Sequence, residues 1–186
     1  MRNPQHNIIT LEAAVEWRQR LRGERENTLA VTNGCFDVLH RGHMYPLLDA
    51  HCVAEKLLVL VNDDESVRAL KGPGRPIMPA ADRAWMLACL QPVDVVVIFS
   101  GTDCADELRA LAPDVYVKSR EYAGENQHEG ERLALEEVGA TTIWSRPVDG
   151  YSSTALFRRI VRASIEGGAR NDMKIVPKAA ETWGMP

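Results

Sequence analysis

The chain has 186 residues, of which 45% are hydrophobic and 26% charged, and it carries a net charge of −4 at pH 7. This composition predicts one globular domain with a full core, and the negative charge argues against a general affinity for nucleic acid or for an anionic membrane. Residues 1–10 contain no apolar run, so we expect no signal peptide and no membrane-spanning helix, and we place the protein in the cytoplasm.

Cysteine usage agrees with that compartment. The four cysteines form no Cys-x-x-Cys pair, which favours reduced thiols. Cys35 lies inside the most informative motif of the chain. No activating partner is apparent for it, so we interpret it as a small buried apolar residue.

Helix and strand signals alternate along the chain. Thr10 is a good N-cap for a leading amphipathic helix, and the continuous apolar run at residues 56–62 is typical of a strand buried on both faces. The glycine- and proline-rich residues 71–79 predict a loop. Strands are predicted over residues 28–33, 56–62, 93–99, 114–118 and 141–144. Helices are predicted over residues 10–22, from 42 onward, and over 63–70, 80–90, 103–111, 129–138 and 152–165.

This alternation predicts an α/β protein with a Rossmann-like, doubly wound, five-stranded parallel sheet and helices on both faces. Residues 1–165 are expected to form this domain. Residues 166–186 lose the alternation, and we predict a tail that is loosely ordered or contacts a partner subunit.

The most informative motif is residues 31–43, Val-Thr-Asn-Gly-Cys-Phe-Asp-Val-Leu-His-Arg-Gly-His. A short apolar strand ends at Asn33-Gly34, and His40 and His43 flank Gly42 at the start of the next helix. Imidazole donors together with free backbone N–H groups at the positive end of a helix predict a polyphosphate site. The pattern therefore indicates an enzyme that handles a nucleotide.

Ligands of open parallel sheets bind beyond the carboxyl ends of the strands. Histidines, cations, hydroxyls and a few carboxylates follow the predicted strands, a combination that suits phosphoryl or nucleotidyl transfer. These candidates are Asn33, Asp37, His40 and His43, then Asp64, Lys71 and Arg75, then Lys118 and Arg120, and last Ser152, Ser153 and Thr154.

Each candidate also has a plainer structural interpretation. The hydroxyl run at 152–154 is compatible with simple N-capping, and Lys71 and Arg75 with a solvated loop. Arg83 is compatible with a surface position on its helix. Asp37 and Asp64 are compatible either with helix caps or with a metal or hydroxyl contact, so no metal ligand is assigned to a side chain.

The residues at 33–43 resemble the signature of the HxGH nucleotidyltransferases, the cytidylyltransferase-like superfamily. A narrower similarity links residues 61–67 (Val-Asn-Asp-Asp-Glu-Ser-Val), 70–77 (Leu-Lys-Gly-Pro-Gly-Arg-Pro-Ile) and Asp82-Arg83 to the adenylyltransferase domain of ADP-heptose synthesis. That domain joins D-glycero-β-D-manno-heptose 1-phosphate to AMP from ATP. The resemblance covers roughly residues 11–162.

The resemblance implies a role for each matching residue. His40 and His43 would stabilise charge on the α-phosphate and the bridging oxygen, and Lys71 would neutralise phosphate charge as a third catalytic residue. The nucleotide would be bound by Asn33, Gly34, Phe36, Arg83, Ser152, Ser153 and Thr154. The acceptor would be bound by Asp37, Asp64, Arg75, Lys118 and Arg120.

One segment departs from the pattern of these relatives. They usually have Val-Lys-Gly-Gly-Asp-Tyr where this chain has Val-Lys-Ser-Arg-Glu-Tyr at residues 117–122. Two glycines are replaced by Ser119 and Arg120, so a different phosphorylated acceptor stays open. The resemblance further implies Mg²⁺ bound with ATP, and a homodimer.

Two alternatives remain open at this point. One is a cytidylyltransferase acting on glycerol phosphate or a similar alcohol phosphate, and the other is a nucleotide-binding protein without catalysis. An aminoacyl-tRNA synthetase with a similar His-x-Gly-His element is excluded by the length of the chain and by the missing anticodon-binding part.

Overall fold

The computed structural model describes residues 3–23, 27–147, 150 and 152–166. The chain divides into two compact units, residues 1–153 and residues 154–186. Residues 167–186, which make up all but the first residue of the predicted tail, lie outside the described residues. The predicted domain boundary therefore stays a prediction.

The first unit contains five strands, each within two residues of its predicted bounds. They are β1 (Leu29–Gly34), β2 (Lys56–Asn62), β3 (Val95–Phe99), β4 (Val115–Ser119) and β5 (Thr141–Ser145). Its helices are α1 (Leu11–Gly23), α2 (Arg41–Val53), α3 (Asp64–Lys71), α4 (Ala80–Ala88), α5 (Ala105–Leu111) and α6 (Glu129–Val138). The described part of the second unit is helix α7 (Ser153–Glu166), which begins at the last residue of the first unit. Short 3₁₀ turns at Pro4–Asn7, Arg120–Tyr122 and Gly124–Asn126 were not predicted.

All five strands are parallel and lie in the order β3-β2-β1-β4-β5, which confirms the predicted Rossmann-like sheet. The chain fills one half of the sheet with β1, β2 and β3 and then crosses to β4. The strand order therefore reverses between β1 and β4, and a crevice for ligands is expected at the carboxyl ends of these two strands.

Apolar side chains alternate between the two faces of the sheet because successive residues of a strand point to opposite sides. On one face Leu29, Val31 and Tyr116 pack with residues of α1, α5 and α6. On the other face Ala30 and Val117 pack with residues of α2 and α4. Both layers are closed by helices, as the sequence predicts.

The N-terminal segment covers part of the open edge of the sheet. Ile8 forms a parallel bridge with Val96 of β3, and the Ile9 N–H donates to the Val96 carbonyl at 3.0 Å. None of the described helices has the length and apolar character that crossing a membrane would require.

Candidate active site

The loop after β1 brings the histidine motif to the carboxyl edge of the sheet. Phe36 and Val38 adopt positive φ angles of 50° and 88°, which allow the chain to turn sharply before α2. A Cβ atom at Gly34 would lie 3.2 Å from the Phe36 ring, so glycine permits the close approach of that ring. His40 then occupies the N-cap of α2, one residue before the helix begins.

The two histidines cap the helix together. The Gly42 N–H donates to Nδ1 of His40 at 3.1 Å, and the His40 N–H donates to Nδ1 of His43 at 3.2 Å. Their rings stack with centroids 3.9 Å apart, and the His43 ring lies 5.4 Å from that of Phe36. Because each Nδ1 accepts a hydrogen bond, each neutral ring carries its proton on Nε2.

Burial keeps this pair uncharged near neutral pH. It lowers the pKa of His43 from 6.5 to about 4, with a smaller contribution from neighbouring His40. Burial also lowers the pKa of His40, against an opposing effect of Glu121. The pair therefore presents two Nε2–H hydrogen-bond donors and no net positive charge at the N-terminus of α2.

Asp37, predicted to bind the acceptor, is buried and holds the loop after α3. One carboxylate oxygen accepts the N–H groups of Ile77 and Met78 at 2.7 and 3.1 Å. The other oxygen pairs with Arg75 at 2.6 Å. The structure thus places Asp37 and Arg75 together as a support for the loop that follows Lys71, and their contact with an acceptor stays a prediction.

Arg83, predicted to bind the nucleotide, is fully buried. Its guanidinium donates to the carbonyls of Met78 and Cys35 at 2.9 and 2.5 Å and pairs with Asp64 at 2.7 Å. It is not at the surface, contrary to the plainer interpretation of the sequence. The side chain ties α4 to the histidine loop and to the first turn of α3, which gives it a positioning role. Direct contact with a nucleotide stays a prediction.

Among the predicted cations of the site, Lys71 and Arg120 have no carboxylate partner in the described part of the chain. Lys71 ends α3 and Arg120 follows β4; both are exposed, and neither forms an ion pair within the described part of the chain. Arg75, Arg83 and Lys118, in contrast, each pair with a carboxylate at 2.6–2.7 Å. An incoming anion would therefore find its least compensated positive charge at Lys71 and Arg120.

Glu131 of α6 is a functional candidate that the sequence did not reveal. The residue is 1% exposed, and its carboxylate pairs with Lys118 at 2.6 Å and accepts from Asn33 at 2.9 Å. The Tyr116 hydroxyl lies 3.0 Å from the same carboxylate. A glutamate in the first turn of an amphipathic helix is ordinary on sequence grounds, so no local signal marks it.

The remaining predicted contacts lie at the start of the last helix. Ser152 precedes α7, and Ser153 and Thr154 are its first residues. Their proposed hold on a triphosphate stays a prediction. Among the described residues, no three His, Cys, Asp or Glu side chains are grouped so that they could hold a metal ion.

Comparison with known proteins identifies the family of this chain. Residues 31–159 match the family described as cytidylyltransferase-like. The chain is 43% identical to the bifunctional protein HldE of Methylococcus capsulatus over 161 residues, which are 86% of this chain and 33% of that protein. It is also 43% identical to HldE of Acidiphilium cryptum over 153 residues, 82% of this chain and 31% of that protein. The chain thus spans about a third of the length of these curated relatives.

A solved structure supports the fold alone. Pantoate-β-alanine ligase from Francisella tularensis superposes with a TM-score of 0.57 at 12% identity, covering 86% of this chain and 75% of that one. That structure is a complex with β-γ ATP and β-alanine.

Proposed function

This chain belongs to the cytidylyltransferase-like family, and we propose that it is a nucleotidyltransferase that joins a sugar 1-phosphate to AMP from ATP and releases pyrophosphate. The observation that carries the proposal is the histidine pair on α2. The helix cap fixes two Nε2–H donors at the carboxyl edge of the sheet, where they can donate to a phosphate chain. Packing alone would not require two donors fixed in this way.

The proposed reaction needs no protein nucleophile. The acceptor phosphate is largely dianionic near neutral pH, because its second pKa is about 6. One of its oxygens attacks the α-phosphorus in line, so an O–P bond forms while the bond to the bridging oxygen breaks and pyrophosphate leaves. His43 and His40 donate hydrogen bonds to the α-phosphate and to the leaving oxygen, and Lys71 neutralises the phosphate charge.

We propose that Mg²⁺ enters with the triphosphate, where it would neutralise the negative charge of the phosphate oxygens. The residues of the chain then orient the substrates. Ser152, Ser153 and Thr154 are proposed to hold the β- and γ-phosphates, and Asn33, Gly34 and Phe36 to line the nucleotide pocket.

For the acceptor we propose D-glycero-β-D-manno-heptose 1-phosphate. Support comes from the loop at residues 70–77, which resembles the sugar-phosphate branch of the family, and from the 43% identity to HldE proteins over most of this chain. Arg120 and Lys118, at the end of β4, are proposed to contact the acceptor phosphate. The replacement of two glycines by Ser119 and Arg120 keeps a glycerol phosphate cytidylyltransferase as the second candidate.

The test is a pyrophosphate-release screen of four nucleoside triphosphates against heptose, glycerol and other sugar phosphates. We expect turnover with ATP and the heptose 1-phosphate, and its loss in His43→Asn. Turnover with CTP and glycerol phosphate would establish the second candidate. Binding of ATP in calorimetry without turnover of any acceptor would replace both with a nucleotide-binding protein.

We also propose that the protein works in the cytoplasm, where ATP is supplied, and as a homodimer, as the family resemblance implies. Sedimentation equilibrium with and without ATP tests the dimer. A monomer under both conditions would contradict it.

A further inference from the structure

At the carboxyl ends of β1 and β4, the crevice is held by a side chain and not by backbone pairing. β1 pairs with β2 over six residue pairs and β4 pairs with β5 over five, whereas β1 and β4 pair only at Ala30–Val115 and Val31–Tyr116. Beyond Val31 and Tyr116 the two strand ends have no ladder to fix their separation. Asn33 and Lys118 lie on these two ends.

Glu131 connects the two ends from the side of α6. One carboxylate oxygen accepts from Nδ2 of Asn33 at 2.9 Å, and the other accepts from Nζ of Lys118 at 2.6 Å. The Tyr116 hydroxyl lies 2.7 Å from Oδ1 of Asn33 and 3.0 Å from the second carboxylate oxygen. The single proton of the Tyr116 hydroxyl is shared between these two acceptors, whereas Nδ2 of Asn33 and Nζ of Lys118 each donate to Glu131. One residue of α6 therefore sets the positions of groups on two strands.

The charge state of Glu131 suits this task. Burial alone would raise the pKa of its carboxyl group, but Lys118 and the hydrogen bonds from Tyr116 and Asn33 lower it below its ordinary value. The carboxylate is ionised at neutral pH and can hold an ammonium and an amide together.

We propose that Glu131 is a positioning residue for the acceptor side of the reaction, which acts by holding the Lys118 ammonium and the Asn33 amide across the crevice. This inference rests on the proposed function, in which Lys118 contacts the acceptor phosphate. Glu131 itself has 1% of its surface exposed and does not touch a substrate. Lys118 keeps 14% of its side chain exposed, enough for contact with an anion at the crevice.

The kinetic test uses Glu131→Gln, which keeps the size of the side chain but replaces the acceptor for Lys118 with a neutral amide. The glutamine oxygen can still accept from Nδ2 of Asn33, so the variant removes mainly the ionic hold on Lys118. We therefore expect the KM for the sugar phosphate to rise about tenfold, while the KM for ATP and kcat change less than about threefold. Glu129→Gln is the matched control, because Glu129 begins the same helix with an exposed side chain. Equal kinetic constants for Glu131→Gln and the wild type would overturn the proposal.

A double variant separates positioning from general stability. Because Glu131 acts through Lys118, we expect Lys118→Met and Lys118→Met/Glu131→Gln to share the same KM for the acceptor. Lys118→Met leaves the buried Glu131 carboxylate without its cation, whereas the double variant leaves no unpaired buried charge. If Lys118→Met fails to fold, recovery of the fold in the double variant shows the same coupling between the two residues. Effects of the two substitutions that multiply would overturn the coupling.

A measurement without substrate distinguishes failure of this inference from failure of the proposed function. The Lys118 ammonium, held by Glu131, should give a slowly exchanging ¹⁵N signal in NMR spectra, assigned by its loss in Lys118→Met. We expect the signal to vanish in Glu131→Gln and to persist in Glu129→Gln. Its persistence in Glu131→Gln would overturn the inference. A wild type without turnover of any acceptor would instead overturn the proposed function.

Discussion

His40 and His43 fix each other through the backbone of the helix that they begin. The N–H of His40 donates to Nδ1 of His43, while Nδ1 of His40 accepts from the N–H of Gly42. Neither ring can rotate without breaking a helix cap, so both Nε2 atoms hold their directions before a ligand arrives. Donors fixed in advance lose no free energy to reorganisation during a reaction, which is the condition for effective electrostatic stabilisation.

The first prediction separates the two nitrogens of His43. Asparagine can keep the helix cap through its side-chain oxygen but has no donor at the position of Nε2. Glutamine, in contrast, places an N–H near that position. We expect His43→Ala and His43→Asn to lower kcat by about 10²–10³ with ATP binding largely kept, and His43→Gln to retain more activity. Steady-state pyrophosphate release and calorimetry with ATP provide the measurements. Similar rates for the asparagine and glutamine variants would show that Nε2–H has no special part.

The second prediction concerns stability and pH. The folded protein holds His43 with a pKa lowered to about 4, against 6.5 for the free side chain. As the pH falls below 6.5, His43 becomes protonated in the unfolded chain while it stays neutral in the folded chain. The free energy of unfolding should therefore fall between pH 6.5 and 4, by at most about 3 kcal/mol from this residue. Above pH 6.5, His43 is neutral in both states and its full contribution to the free energy of unfolding is present.

Urea unfolding of the wild type and of His43→Gln, at several pH values between 7.5 and 4, measures this effect. The variant lacks the titrating group, so its stability should depend less on pH across the same range. Parallel curves for the two proteins would refute the lowered pKa of His43.

The third prediction concerns buried Arg83. Replacing it with methionine leaves the carbonyls of Cys35 and Met78 without their donor and removes the partner of Asp64. We expect Arg83→Met to lower the free energy of unfolding by about 2–4 kcal/mol. Arg109→Met is the comparison, since Arg109 forms ion pairs at the exposed surface and should matter much less. Urea unfolding measures both, and a similar loss in the two variants would contradict the bridging role of Arg83.

The fourth prediction concerns the loop that Asp37 holds. Without this carboxylate the N–H groups of Ile77 and Met78 and the Arg75 guanidinium lose their common acceptor, so the loop should open more often. We expect Asp37→Ala to accelerate tryptic cleavage after Lys71 about tenfold or more under native conditions. Mass spectrometry of timed digests detects the cleavage, with Asp82→Ala, an exposed aspartate on α4, as the control. An unchanged cleavage rate would mean that the loop is held by other contacts.

The sheet and its helices were predictable because their signals are local. The apolar run at residues 56–62 is typical of a buried strand, and β2 has the predicted bounds. The histidine motif was equally local, since spacing and one glycine fix the start of α2. The bridge of Ile8 to β3 was not predictable, because a single pair of residues leaves no periodic pattern.

The ion-pair partners of the charged residues could not be predicted from the sequence. Asp37, Asp64 and Lys118 were predicted to face a ligand, and in the folded chain each pairs with an opposite charge. Their partners lie between 13 and 38 residues away in sequence, so pairing depends on how helices and loops pack. Glu131 was missed for the same reason, since its burial results from Lys118 and Asn33 arriving from two different strands.

The short ladder between β1 and β4 has a mechanical consequence. The two halves of the sheet are joined along the line with the fewest backbone hydrogen bonds, which is also the line where ligands are expected to enter. Small breathing movements of one half against the other would cost least there. The architecture thus concentrates its compliance at the crevice and leaves the β1–β2 half stiff.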